Sequence, residues 1–290
     1  MKIFYGSGNY IGSNITTSRF LNNVRNHEVR VAAHYQNHRF LRSFDWCLDA
    51  LYQVKFGSHN YFKKHHGVSG PHVDHDIADM VVTDLLEWGP DLVISDCEFF
   101  TAMIAKVLEV PLWYCSPMLQ LVGLERERKE IYAKAFERFR VYFDRLPIGD
   151  SYFIYSPLCD VQGRPHIKQG FEWVRPYAIK PDAFTSEDID FSIVEKAIPK
   201  SCLLTTGETS FVSDCLYSGK FMFVSPNPKE IEQNLNAQFL EWYGLGKNIG
   251  RSNSLSFVKK LVEKPHPKPM LSVQNWKLLD EKIDVYKNGK

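Results

Sequence analysis

Short apolar runs alternate with stretches of helical periodicity from the first residues of this chain onward, and that alternation constrains its fold most. Lys2–Tyr5, Glu28–Ala33, Asp91–Ser95 and Leu112–Cys115 have the length and content of buried strands. Ile15–Val24 follows the first as a short helix, and Thr101–Leu108 follows the third with Ala, Ile and Leu at helical spacing. Strands interleaved with helices predict an α/β protein built on a parallel sheet with both faces covered. Leu124–Phe143 carries apolar residues at 124, 131, 135, 139 and 143, which predicts an amphipathic helix ended by Pro147 and Gly149. Beyond it the pattern resumes on a smaller scale. Tyr152–Tyr155, Ser201–Thr205 and Phe221–Ser225 read as strands, and Ser210–Ser218, Asn234–Trp242, Ser256–Glu263 and Met270–Tyr286 as helices. The Pro-, Gly- and Asp-rich stretch 156–181 reads as a linker, and Lys264–Pro269 as an extended connector.

A chain of 290 residues is about two average domains long. With 44% hydrophobic and 24% charged residues, it can bury a large core without staples. Six cysteines (47, 97, 115, 159, 202, 215) form no CxxC pair, so reduced thiols in a cytoplasm are expected. The apolar stretch Val110–Leu124 is broken by Pro111, Ser116, Pro117 and Gln120 and is too short to span a bilayer. The opening MKIFYGSG reads as a strand entering a turn and not as a signal peptide. A cytoplasmic protein without membrane insertion is the expectation. The formal net charge of +1 hides an asymmetry: residues 1–66 hold nine Lys or Arg against three acids, and six of the ten histidines. One face of an N-terminal unit would favour an anionic partner; a solvated surface without a partner is the alternative.

Three segments carry candidate chemistry. Gly6-Ser7-Gly8-Asn9-Tyr10-Ile11-Gly12 lies between a strand and a helix, where glycines let backbone approach a ligand; it is not GxGxxG, and a tight turn without a ligand is the simpler explanation. Asp96 and Glu98 fall just after a buried strand, at the sheet's carboxyl edge, where open α/β proteins place ligands. Either is a candidate general base, and either is a candidate cap for the following helix. His65, His66, His72, Asp74, His75 and Asp76 crowd one loop without HExxH or Cys/His spacing, so no metal is assigned. Lys63-Lys64-His65-His66 beside Tyr61 and Phe62 suits phosphate contact with stacking better. The third segment is LLTTGETSFVSDCLYSGKFMFVSPNPKEIEQNLNAQFLEWYGLG, residues 203–246. A strand ends in Thr205-Thr206-Gly207, a helix begins at Glu208-Thr209-Ser210, and a second strand ends at Ser225-Pro226.

This third segment resembles the C-terminal domain of GT-B nucleotide-sugar glycosyltransferases, closest to glycosyltransferase family 28. There G-x-T-x-x-E-A-L-x-x-G-[KR]-P leads through a strand to P and then to E-Q-x-x-N-A. The matching residues are Gly207, Thr209, Asp214-Cys215-Leu216, Gly219-Lys220, Pro226 and Glu232-Gln233-Asn234-Leu235-Asn236-Ala237. The N-terminal half is similar as well: a Gly-rich turn, Arg19, then His27-Glu28-Val29-Arg30-Val31 where the family has "GHEV". Pro90-Asp91-Leu92-Val93-Ile94-Ser95-Asp96 matches its "PDLVISD", Val110-Pro111 its "GIP", and Gly170–Pro176 its passage into the second domain. The chain departs from the family in two places. Ser13-Asn14 follow Gly12 where relatives carry a histidine near the acceptor. Residues 177–201, about 25 in number, stand where relatives have most of a βαβαβ half.

The resemblance implies two Rossmann-like domains, the C-terminal one truncated: residues 1–150 for the acceptor, 151–265 as a shortened donor domain, and 266–290 as a helix crossing back. It implies a nucleotide sugar as substrate and no cofactor. Gly207, Glu208, Thr209 and Ser210 would aim helix amides at a diphosphate, Asp214 would hold ribose, and Glu232, Gln233 and Asn236 would meet the sugar. Asp96, then Glu98, would deprotonate the acceptor. Gly8, Asn9, Asn14, Arg19, Lys63 and Lys64 are the acceptor contacts expected. The positive first segment suggests an anionic acceptor, with a hydroxylated base in phage DNA the first expectation. A lipid-linked or small-molecule acceptor, or a non-catalytic nucleotide-sugar or nucleic-acid binding protein, stands as the alternative.

Overall fold

β1 (Lys2–Gly6) is buried along its length apart from Lys2, because a central parallel strand has helices against both faces and no solvent side. It pairs with β2 (Glu28–His34), Ile3 opposite Val29, and with β4 (Leu92–Ser95), Tyr5 opposite Ile94. The computed structural model describes residues 1–8, 13–42, 50–54, 75–125, 133–177, 202–228, 230–250 and 277–289. With β3 (Ala50–Val54), β5 (Leu112–Ser116), β6 (Ser151–Tyr155) and β7 (Phe171–Val174), the first sheet has seven strands in the order β3-β2-β1-β4-β5-β6-β7. Every neighbouring pair is parallel. The chain winds outward through α1 (Ser13–Asn23) and α2 (Tyr35–Arg42) to β3, then returns through α3 (His75–Trp88) to β4 on the other side of β1. The order therefore reverses between β1 and β4, which opens a crevice at their carboxyl ends.

α4 (Phe99–Val107), α5 (Gln120–Gly123) and α6 (Ala133–Phe143) follow the strands of that second half. α9 (Leu279–Asn288) belongs to the same unit, with Leu279 and Ile283 buried and the Tyr286 ring edge-on to Trp113 at 5.1 Å. An aromatic pair of that geometry adds about 0.5–1.5 kcal/mol beyond its buried area. The second unit has β8 (Cys202–Thr205), β9 (Phe221–Val224) and β10 (Gly246–Asn248) in a parallel sheet ordered β10-β9-β8. α7 (Thr209–Tyr217) and α8 (Ile231–Trp242) follow its strands. The first unit comprises Met1–Tyr155, Pro165–Val174 and Lys277–Lys290, and the second Ser156–Arg164 and Arg175–Trp276.

Several sequence expectations need correction. The strand expected from Tyr152, placed at the head of a second domain, pairs beside β5 with Tyr114 opposite Tyr152, so the first unit continues through Tyr155. The expected linker contains β7: Phe-Glu-Trp-Val is four residues long, and the Pro- and Gly-rich neighbours hide it. Leu124 does not begin a helix. It bridges Ile167, with Glu125 N donating to His166 O at 2.8 Å, and the helix described there is α6 from Ala133. α2, α3, α5, β3 and β10 were not expected. Ser256–Glu263, Lys264–Pro269 and the start of the last predicted helix lie outside the described residues.

Candidate functional site

Each unit presents candidate residues at the carboxyl edge of its own sheet. In the first unit β4 ends in Ser95, and the next three residues make a tight turn into α4. Ser95 Oγ donates to Glu98 O and accepts Glu98 N, both at 2.8 Å. Cys97 takes the left-handed conformation, φ 51°, at a cost of roughly 1–3 kcal/mol for a non-glycine residue. The other described non-glycine residue with positive φ, Glu109, sits just past the end of α4, where that geometry is common.

Glu98 caps α4, accepting Phe100 N at 2.5 Å and Thr101 N at 2.9 Å. Burial raises its carboxyl to about 7, with the two amides pulling the other way and nearby Asp96 adding to the rise. Of the two roles open to Glu98, base or cap, the structure places it in the cap. Asp96 is 3% exposed, and its amide donates to Gly6 O at 3.0 Å. Its charge raises the pKa of Tyr5, Cys97 and Cys115, in each case after the larger effect of burial. Asp96 thus lies at the crevice between β1 and β4. Gly6 lets the start of α4 lie close against β1: a Cβ there would stand 2.6 Å from Thr101 Cβ and 2.8 Å from Glu98 Oε2.

The first turn is held from below. Thr17 Oγ1 donates to Ser7 Oγ at 2.8 Å, and Asn37 Nδ2 donates to Gly8 O at 2.6 Å. Ser7 belongs to the glycine-rich turn that the sequence marks, while nothing in the local pattern of Thr17 or Asn37 marks either. Arg19, expected at the acceptor, is 6% exposed on α1. Other cations of the basic segment are engaged within the unit: Arg30 pairs with Asp84 at 2.7 Å, and Lys2 Nζ donates to Trp88 O at 2.8 Å. Asn9, Lys63, Lys64 and the histidine-rich loop up to Asp74 lie outside the described residues, and Asn14 is placed only as part of α1. Among the described residues no group of three His, Cys, Asp or Glu is arranged to hold a metal.

In the second unit the turn from β8 to α7 meets the first turn of α8. Gly207 has φ +100°, and a Cβ on it would stand 2.9 Å from Gln233 O, so both its conformation and the close approach require glycine. Asn236 Nδ2 donates to Gly207 O at 2.8 Å and to Thr209 Oγ1 at 3.0 Å. Gln233 Nε2 donates to Glu208 Oε1 at 2.7 Å while its Oε1 accepts Asn227 N at 2.8 Å. Thr206 Oγ1 donates to the other oxygen of Glu208. Glu232 Oε1 accepts Thr209 N at 2.8 Å. Glu208, Thr209, Ser210, Glu232, Gln233 and Asn236 are all buried, and Asp214 on α7 is 2% exposed. The structure therefore joins Gly207, Glu208, Thr209, Glu232, Gln233 and Asn236 at one junction, with Ser210 next in α7 and Asp214 more than a turn further along that helix.

Sequence inspection missed the far end of α7. Arg175 meets Asp160 through Nε at 2.9 Å and Nη2 at 3.2 Å, and Tyr217 OH donates to Asp160 Oδ2 at 2.6 Å. This arrangement fixes the last residue of α7 to the short 3-10 turn Pro157–Asp160 of the same unit.

No protein-family model matches the sequence, and no curated protein matches it. Solved structures do resemble it. One is SsfS6, a glycosyltransferase of Streptomyces sp. SF2575 complexed with thymidine diphosphate (TM-score 0.54, 12% identity, 91% of each chain covered). VinC, a glycosyltransferase in complex with dTDP, has a TM-score of 0.51 at 11% identity, covering 91% of this chain and 92% of that one. CalG4, the calicheamicin glycosyltransferase, has a TM-score of 0.51 at 13% identity, covering 90% and 92%. Identities this low speak to architecture alone. Both parallel sheets and the agreement over about 90% of the chain give the protein the fold of the GT-B glycosyltransferases.

Proposed function

We propose that this protein is a nucleotide-sugar-dependent glycosyltransferase whose donor half is shortened and which needs no cofactor. The observation that carries the reading is the junction of Gly207–Ser210 with Glu232, Gln233 and Asn236 at the carboxyl edge of β8 and β9. It is built from the residues the family motif names, in a fold shared with a thymidine diphosphate complex. The donor diphosphate lies toward the start of α7, where helix amides stabilise the leaving group. Asp214 serves the ribose, and Glu232 and Gln233 serve the sugar. The acceptor hydroxyl attacks the anomeric carbon, the carbon–phosphate oxygen bond breaks, and the nucleoside diphosphate leaves. Asp96 takes the hydroxyl proton as general base. With 3% of Asp96 exposed, the acceptor presents that hydroxyl on a slender group.

The acceptor is anionic, and a hydroxylated DNA base is the version to test first, on the surplus of six positive charges in residues 1–66. Binding to duplex DNA at graded salt tests it; absent or salt-insensitive binding rejects it. Glu208 and Glu232, two buried carboxylates beside the start of α7, favour a second reading, a binding protein that transfers nothing. A thermal-shift panel of UDP-, GDP-, dTDP- and CMP-sugars tests the donor site. A ligand at 100 times its dissociation constant adds about 2.7 kcal/mol. A shift from one nucleotide, absent in Asp214→Ala, supports the donor site, and sugar transfer or hydrolysis lost in Asp96→Asn separates enzyme from binder.

A further inference from the structure

We propose that Tyr142 is a positioning residue for Asp96: its hydroxyl, donating to Cys97 O at 2.9 Å, holds the left-handed turn that keeps the carboxylate at the crevice between β1 and β4. The catalytic consequence rests on reading Asp96 as the general base.

Three local constraints converge on residues 95–98. Asp96 N is bonded to Gly6 O at 3.0 Å, Ser95 Oγ closes the turn on Glu98, and Glu98 enters α4 as its cap. Ser95 Oγ thereby holds the amide side of the Cys97–Glu98 peptide, and the Cys97 thiol meets Ser116; the carbonyl side of that peptide is held from outside the turn. Cys97 alone carries the positive φ, 51°, and a cysteine in that conformation relaxes readily toward negative φ unless something holds its carbonyl. Tyr142 supplies that hold from α6, 45 residues away in sequence. Burial and the charge of Glu98 raise its phenol well above the ordinary value, so it stays a donor across the working pH range; a backbone hydrogen bond from Phe99 opposes the rise without reversing it. The bond from Tyr142 to Cys97 O therefore secures the carbonyl side of a peptide whose amide side Ser95 holds, at the one residue of the turn with positive φ. Without that bond the turn relaxes at Cys97, and the carboxylate shifts relative to Tyr5, Cys97, Cys115 and Glu98, the titratable groups that face it.

The test is a cycle of Tyr142→Phe, Cys97→Gly and the double variant, with Asp96→Asn as reference. Phenylalanine keeps the ring and removes the donor; glycine takes positive φ without help. In full-length protein carrying 13C-labelled aspartate, the Asp96 carboxyl resonance is assigned by its loss in Asp96→Asn. The expected result is a displaced Asp96 titration in Tyr142→Phe and a return toward the wild-type curve in the double variant. With dTDP-glucose or UDP-glucose as donor probe, Tyr142→Phe lowers kcat about ten- to a hundredfold with donor KM little changed, and Cys97→Gly restores it. An Asp96 titration unmoved by Tyr142→Phe, or moved and not restored by glycine, overturns the proposal. Turnover that persists in Asp96→Asn rejects the catalytic reading alone and leaves the carboxyl titration to judge the positioning.

Discussion

Glu232 Oε1 accepts the Thr209 amide at 2.8 Å across 23 residues of sequence, so a carboxylate from α8 closes the start of α7. The bond joins a helix N-terminus to an anion, the pairing that helix dipoles favour, and it is made by a residue the family motif assigns to the donor sugar.

Removing that carboxylate costs both stability and binding. Glu232→Ala loses a buried, charge-assisted bond, and we expect a loss of about 1.5–3 kcal/mol, read by urea denaturation. Glu232→Gln keeps an acceptor for Thr209 N and loses less. Donor binding falls in both variants if Glu232 meets the sugar. It falls only in the alanine variant if the residue acts through the turn, a difference that titration calorimetry with a nucleotide sugar resolves.

Gly207→Ala forces a side chain onto φ +100° and brings a Cβ to 2.9 Å from Gln233 O. A destabilisation of about 1–3 kcal/mol follows from the conformation, and the nucleotide-dependent thermal shift disappears with it. An alanine variant with wild-type melting and nucleotide response would contradict this account of the turn.

Glu98 ties stability to pH. Its folded value, about 7, lies above the ordinary 4.5, so the native state holds a proton that the unfolded chain releases. The stabilisation is complete below about pH 4.5 and is lost as pH rises through about 7. Glu98→Gln is expected to flatten that part of the curve, measured as the wild-type minus variant free energy between pH 5 and 8. A difference that grows with pH has the wrong sign for this mechanism.

The cluster at the end of α7 predicts unequal losses. Asp160 has a side chain 1% exposed, and Arg175 one that is 28% exposed. Arg175→Ala takes the cation from a buried carboxylate that keeps its bond from Tyr217, and costs about 3–5 kcal/mol. Asp160→Asn leaves a cation that water can reach and an amide that still accepts from Tyr217, so it costs less. Chemical denaturation of the two variants gives the order directly.

Particular residues show where the sequence was legible. The buried runs at Ile3–Tyr5 and Leu92–Ile94 are apolar on every residue because both faces of a central strand are covered, so pattern alone located them. Phe171–Val174 is as much a strand, yet Pro165, Gly163 and Gly170 nearby read as a linker. Only pairing with β6, Tyr152 opposite Phe171, gives it a structure. Leu124 has helical spacing with Ile131 and Ala135, but its bridge to Ile167 overrides local propensity. The junction at Gly207 was located from its motif, and the edge position of Asp96 from the strand before it. A cap at Asp96 or Glu98 is one of the roles their position before a helix offers, and the fold assigns it to Glu98; that Tyr142 neighbours Cys97 has no signal in sequence.

Local order determined the class of this protein: apolar runs and helical periods set out along the chain are properties of neighbouring residues, and they lead to parallel sheets with chemistry at the carboxyl edges. Partnership was decided only in three dimensions. A carboxylate at a strand end is a base, a cap or a lock according to which amide or cation lies within 3 Å or so of it. Thr209 for Glu232, Phe100 and Thr101 for Glu98, and Arg175 for Asp160 came within reach by folding. Hydrogen bonds are short-ranged and directional, so sequence can name the donor and the acceptor, while only the fold brings them together.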